Sequence, residues 1–125
     1  MRGMICGLGQ VGYRVALLAL QSGYKITAVA LAVRPEWERE LRSAGAEILF
    51  GDARDEEFMV ASGLKHADWL ISVTSNDLTN IEVALDAKRN HPKVRTVARA
   101  FDRYLVARRR GRLERCAHQW AGSDG

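Results

Sequence analysis

Gly7-Leu8-Gly9-Gln10-Val11-Gly12 spaces three glycines as G-x-G-x-x-G, directly after the apolar Met4-Ile5-Cys6 and directly before a helical pattern. Placed between a strand and a helix, that spacing carries chemistry. Gly7 permits a tight turn, Gly9 lets backbone approach a diphosphate, and Gly12 lets helix and strand pack closely, while the first amides of the helix offer an anion site. The residues between, Leu8, Gln10 and Val11, would line that site. A glycine turn kept only for packing is the competing reading.

A dinucleotide pattern continues with an Asp or Glu about 20 residues on, at the end of the second strand, to hold the adenosine ribose hydroxyls. Here that strand reads Ile26-Thr27-Ala28-Val29-Ala30-Leu31-Ala32-Val33, and the first charged residue after it is Arg34. No acid occurs until Glu36, beyond Pro35. The contact that favours NAD is therefore missing, and no carboxylate repels a 2′-phosphate. Arg34 either accepts NADP or another anionic group, or is an exposed arginine in a link.

Asp52, after Gly51, either reaches an adenine edge or ribose or caps a helix. Thr74, Ser75, Asn76 and Asp77 supply short donors and acceptors across from the glycine turn, and Asn80, one helical turn on, points the same way. Arg99, at a strand end, either pairs with phosphate, Asp52 or Asp77, or is a surface residue. His66, His91 and His118 stand in separate segments, without metal-ligand or catalytic spacing, and read as solvent-facing. Trp69, Phe50 and Phe58 read as core.

Nothing in the chain favours a reaction. No G-x-S-x-G elbow occurs, and Tyr104 has no lysine four residues on, since position 108 is arginine. Cys6 and Cys116 form neither a C-x-x-C pair nor a disulfide framework, which fits a reducing compartment, with Cys6 a buried apolar side chain on a strand. The site is expected to bind and not to react.

These residues need elements to place them. With 125 residues, 47% hydrophobic and 27% charged, the chain makes one soluble globular domain, not two and not a disordered segment. No apolar stretch nears the roughly 20 residues of a membrane span, and no cationic leader before an apolar run is expected at the amino terminus. Strands are expected at Met4–Cys6, Ile26–Leu31, Glu47–Phe50, Trp69–Thr74 and Val94–Ala98. Helices fall between them: Val11, Val15, Leu18 and Ala19 share a buried face, Pro35 opens a charged exposed helix, Asp55, Glu56 and Glu57 start a third, and Leu78–Asn90 form a fourth. This alternation predicts an α/β fold, an open, doubly wound parallel sheet of five to six strands with helices on both faces. Its crevice lies at the carboxyl ends of the first and fourth strands.

Residues 1–101 carry 13 Lys+Arg against 12 Asp+Glu, while residues 102–125 carry 6 against 3, so the basic character is a tail effect. Arg108, Arg109, Arg110, Arg112 and Arg115 lack interleaved aromatics, which argues for a solvated or partner-facing patch and against nucleic-acid binding.

Taken together, Ile5-Cys6-Gly7-Leu8-Gly9-Gln10-Val11-Gly12, Gly51-Asp52-Ala53-Arg54, Ala61-Ser62-Gly63, Ala67-Asp68, Val73-Thr74-Ser75-Asn76-Asp77, Asn80 and Val97-Ala98-Arg99 resemble, in order, the RCK domain, also called KTN or TrkA-N. The resemblance covers about residues 3–107. It implies a Rossmann-like regulatory domain of potassium channels and Trk-type uptake systems, lying in the cytoplasm at the inner face of the membrane through a channel or transporter subunit. It also implies a homodimer or larger ring, and binding of NAD(H), ATP, ADP, AMP or a related nucleotide. By position, diphosphate contacts would fall on Gly7 to Gly12, the adenosine side on Asp52 and Ala53, and further contacts on Thr74, Ser75 and Arg99. The family's acidic ribose ligand falls on Ala30. Residues 1–107 would form the domain and 108–125 a basic extension or the start of a crossover helix. A small NADP-dependent oxidoreductase, suggested by Ala30 and Arg34, and a scaffold that has lost its nucleotide are the alternatives.

Overall fold

Met4, Ile5 and Cys6 in strand β1 (Arg2–Cys6) are all buried, so this strand must lie inside a sheet covered on both faces. In the computed structural model, which describes residues 1–108 and 112–115, it does. Ile5 packs with Ile26, Ala28, Leu41 and Ile48 on one face; Met4 and Cys6 pack with Val29, Met59, Leu70 and Val83 on the other. Cys6 is fully buried, and desolvation pushes its thiol up to about 12. Such a thiol is inert packing.

The chain continues through helix α1 (Gln10–Gln21), β2 (Lys25–Ala30), α2 (Pro35–Ser43), β3 (Glu47–Phe50), α3 (Glu56–Ala61), a 3₁₀ turn at Leu64–His66, β4 (Trp69–Ser72), α4 (Asp77–Asn90) and β5 (Arg95–Ala100). The expected helices and parallel strands are present, with ends moved by one or two residues. Leu31 lies beyond β2 and is exposed, and Thr74 lies beyond β4. Asp55 caps α3, accepting from the Phe58 N–H at 3.2 Å, and Asn76 caps α4, accepting from the Thr79 N–H at 2.9 Å.

The sheet order among the described residues is β3-β2-β1-β4-β5-β6-β7. Strands β1 to β5 pair in parallel, so β1 sits where the winding reverses. α1 and α2 cover one face, α3 and α4 the other. Seven strands form where five to six were expected, because β6 (Arg103–Ala107) and β7 (Leu113–Arg115) add an antiparallel edge. Phe101 and Asp102 make the two-residue hairpin turn, with φ of 53° and 59°. Turns of that hand favour Asn, Asp and Gly, and Phe101 at the first turn position hides the hairpin.

β7 lies inside 108–125, where an extension or crossover helix was expected; residues 109–111 and 116–125, with Arg109, Arg110, Cys116, His118 and Trp120, fall outside the described part. Within it, Arg108 and Arg112 both pair with Glu114, at 3.1 and 3.7 Å. Among the described residues no helix is long and apolar enough to cross a membrane.

Three side-chain placements differ from expectation. Leu18 (64% exposed) lies off the buried stripe of α1, whose core contacts come from Gly12, Ala16 and Ala19. Phe50 (49% exposed) ends the edge strand β3 and is not core. His91 is half-buried, its Nε2 2.9 Å from the Ala67 carbonyl oxygen, while His66 is exposed as expected.

The ends of β4 and β5 are tied by one fully buried side chain. Asn80 Oδ1 accepts from Thr74 N (2.8 Å), Thr74 Oγ1 (2.6 Å) and Ser72 Oγ (3.1 Å), while Nδ2 donates to the carbonyls of Thr74 (3.0 Å) and Arg99 (2.8 Å). Asn80 therefore points inward and not into the crevice. Thr96, also buried, has a hydroxyl without a partner among the described residues. The two positions should respond to substitution with opposite signs. Asn80→Ala leaves buried amide and carbonyl groups unpaired and should lower unfolding free energy by about 3 kcal/mol, whereas Thr96→Val removes an unpaired hydroxyl and should raise it by about 1 kcal/mol. Urea denaturation reads both.

Candidate functional site

Each glycine of the turn answers to a different constraint. Gly7 has φ +103°, where a side chain is strained, and a Cβ on it would lie 2.8 Å from the Thr74 nitrogen. A Cβ on Gly12 would lie 1.8 Å from the Gly7 carbonyl oxygen. Both glycines are required by the fold. Gly9 is not: its φ is −75°, and a Cβ there would meet nothing within 4 Å. Open space in front of this backbone is what the approach of a ligand diphosphate requires.

Gly9 also caps α1 without any side-chain bond, and no acid occupies the first helical turn. Among the described residues no side chain caps the first amides of α1, at the positive end of the helix dipole. Gln10 is exposed beside Gly9, Leu8 is buried beneath, and Val11 is half-buried. These backbone groups can hold an anion.

From the turn, an open cleft of about 660 Å³ runs along Leu8, Gly9 and Gln10 to Ala32, Val33, Arg34 and Trp37. Ala30, at the end of β2, is 5% exposed and belongs to the core beneath it. The Trp37 indole stacks on the Tyr13 ring at 4.6 Å and 9°, and the Arg34 guanidinium lies over Trp37 at 4.7 Å. Tyr13 donates its hydroxyl proton to Glu40, and this bond raises its pKa above the ordinary phenol value. The charge pattern of α2 predicts an exposed helix and does not single out Trp37 or Tyr13. A lone tryptophan among charges was the available signal.

Across the crevice, Thr74 approaches Gly7, while Ser75 and Asn76 are exposed. Asn76 uses its carboxamide oxygen on α4, and Asn80 is consumed by the β4–β5 tie. Arg99 lies within β5, half-buried, and makes no ion pair among the described residues. Its expected acidic partners are occupied elsewhere. Asp77 accepts from the Phe101 N–H at 3.0 Å, and Asp52 pairs with Arg54 at 2.7 Å. The Arg54 side chain and backbone N–H hold the Asp52 carboxyl below the usual carboxylate range. The helix-capping role considered for Asp52 belongs to Asp55. Ala53 is half-buried against the α3–α4 core. The structure thus sets Leu8, Gly9, Gln10 and Arg34 along one cleft and Thr74 against Gly7, and turns Asn80 away.

Comparison with known proteins gives this arrangement a family. The potassium-efflux system protein KefC of Enterobacter sp. strain 638, described as glutathione-regulated, is 32% identical over 112 residues, and KefC of Escherichia coli O157:H7 is 30% identical over the same length. Each match covers 88% of this chain, but the chain spans only 18% of either relative. Among solved structures, the TrkA-N domain of the Escherichia coli inner membrane protein ybaL aligns with a TM-score of 0.70 and 27% identity, over 79% of this chain and 72% of that one. The Shewanella denitrificans Kef CTD, in AMP-bound form, shares the fold with a TM-score of 0.68 and 23% identity, over 82% of this chain and 60% of that one. The TrkA-N domain profile matches residues 3–109, spanning the glycine turn, the cleft and the β4–β5 tie, and the chain belongs to the TrkA-N domain family.

Proposed function

We propose that the chain is a nucleotide-binding regulatory domain of a potassium transport system, acting by binding and not by reaction. The observation that carries this reading is Gly9, a glycine that neither backbone strain nor packing demands, at the uncapped start of α1. Helix amides there bind a nucleotide phosphate, the Arg34–Trp37 cleft receives the adenosine, and Thr74 and Ser75 contact the ligand from the far side. The names of the KefC relatives and the AMP in the Kef CTD support the same assignment. A bound nucleotide bridges the carboxyl ends of β1 and β4, and so couples the layers that carry α1 and α4.

In this reading the domain works at the cytoplasmic face of the membrane, beside a transporter or channel subunit, as a homodimer or larger ring. Among the described residues no three His, Cys, Asp or Glu side chains gather as a metal site. Asp52 then meets the adenosine side only by exchanging its Arg54 partner, and Arg99 offers its charge from the β5 end.

Two measurements test the assignment. In thermal melting with NAD, NADH, NADP, NADPH, ATP, ADP and AMP, at least one adenine nucleotide should stabilise the fold, by about 2.7 kcal/mol at 100 times its Kd. A chain that melts cooperatively and shifts with none of them is a scaffold without a ligand. In the second, Gly9→Ala should cost the unliganded fold no more than about 1 kcal/mol but weaken nucleotide binding about tenfold or more, while Gly12→Ala should cost at least about 3 kcal/mol of stability. Unaltered binding by Gly9→Ala places the ligand elsewhere.

A further inference from the structure

Arg34 is the strongest unexplained feature near the cleft. It caps α2 with an extended backbone, its side chain makes no cap bond, and no carboxylate pairs with it among the described residues. Yet it is held in place, because its guanidinium lies on the Trp37 indole and that indole is stacked on Tyr13. Two of the three carboxylates on α2 are engaged elsewhere: Glu38 pairs with Arg42 at 3.0 Å, and Glu40 accepts from Tyr13. Glu36 does not line the cleft. The cleft therefore presents a preorganised cation where a carboxylate at the end of β2 would grip a ribose diol, and position 30 there is an alanine sealed into the core.

From this geometry we propose that the cleft selects an adenine nucleotide whose ribose carries a phosphate monoester, as the 2′-phosphate of NADP(H) does, over the same nucleotide with a free diol. The inference rests on the nucleotide-binding reading and adds its specificity. A planar guanidinium offers a fork of donors to a phosphate, and its face on Trp37 leaves the edges free to donate. A free diol finds no carboxylate on this stretch, because Ala30, Leu31, Ala32 and Val33 present no side-chain oxygen.

The test is isothermal calorimetry on the whole chain with NAD, NADP, 5′-AMP, 2′,5′-ADP and 3′,5′-ADP, repeated on Arg34→Gln and Arg34→Lys. Charge-assisted bonds of this kind predict that NADP binds at least about tenfold tighter than NAD. Arg34→Gln should erase that preference, weakening NADP binding at least about tenfold more than NAD binding, and Arg34→Lys should recover part of it. Preference for either ADP isomer over 5′-AMP supports the proposal, and the better isomer names the position read. Equal binding of NAD and NADP overturns the proposal and leaves the nucleotide reading intact. A chain that binds no nucleotide at all overturns both. A loss of NAD and NADP binding in equal measure in Arg34→Gln assigns Arg34 a structural role and also overturns it.

Discussion

Helix α1 meets the backbone of the glycine turn with no room for a single methyl group: a Cβ at Gly12 would sit 1.8 Å from the Gly7 carbonyl oxygen. That approach sets where the first amides of α1 point. Gly7 is pressed in turn against Thr74, whose N–H, hydroxyl and carbonyl are all bonded to Asn80. Three elements are thus locked through backbone and one buried carboxamide, and the anion-facing amides are aimed by groups that a ligand need not touch. The cost of orienting them falls on folding and not on binding, which is the advantage of a preorganised site.

Charge contributes little to holding this frame. Arg89 bridges Glu56 on α3 and Asp86 on α4 at 2.8 Å each, but its side chain is 62% exposed, and pairs of that kind are worth about 0.2–1 kcal/mol. Arg54–Asp52 and Arg42–Glu38 are similarly open to water. Stability rests on the two apolar layers, where Ile5, Leu41, Leu64 and Leu70 are almost wholly buried, each side chain contributing about 1.5–3 kcal/mol. Surface charge around the cleft can therefore change without endangering the fold.

The parallel core was legible because its signals are local. Continuous apolar runs, glycine after a strand, and Asn or Asp before a helix each state their own structure, and the parallel β-α order follows from them. Other features depend on partners distant in sequence. Asn80 shares its residue type with surface caps, and only the meeting of Thr74 and Arg99 around it, 6 and 19 residues away, makes it a buried tie. Phe50 looks apolar enough for the core, but β3 is an edge strand, and edges leave one side to water. The hairpin at Phe101–Asp102 uses residues that hide a left-handed turn. Trp37 and Tyr13 meet only because α1 and α2 pack side by side on one face.

The division between frame and cleft bears on how a fold of this kind comes to hold different nucleotides. Helix-end amides recognise phosphate, which every adenine nucleotide carries, so the glycine turn supplies affinity without choice. Under the proposed nucleotide reading, choice comes from the end of β2, beside which the ribose would lie. There the inward residue, Ala30, belongs to the core, while Arg34, four positions on, is exposed and lays its guanidinium on Trp37. Exchanging an acid for alanine at the first position relieves the core of a partly buried carboxylate, and placing a cation at the second changes the sign of the field at the ribose without altering any packed contact. The residues proposed to set specificity are thus separated from those that set stability, and one can change while the other is preserved.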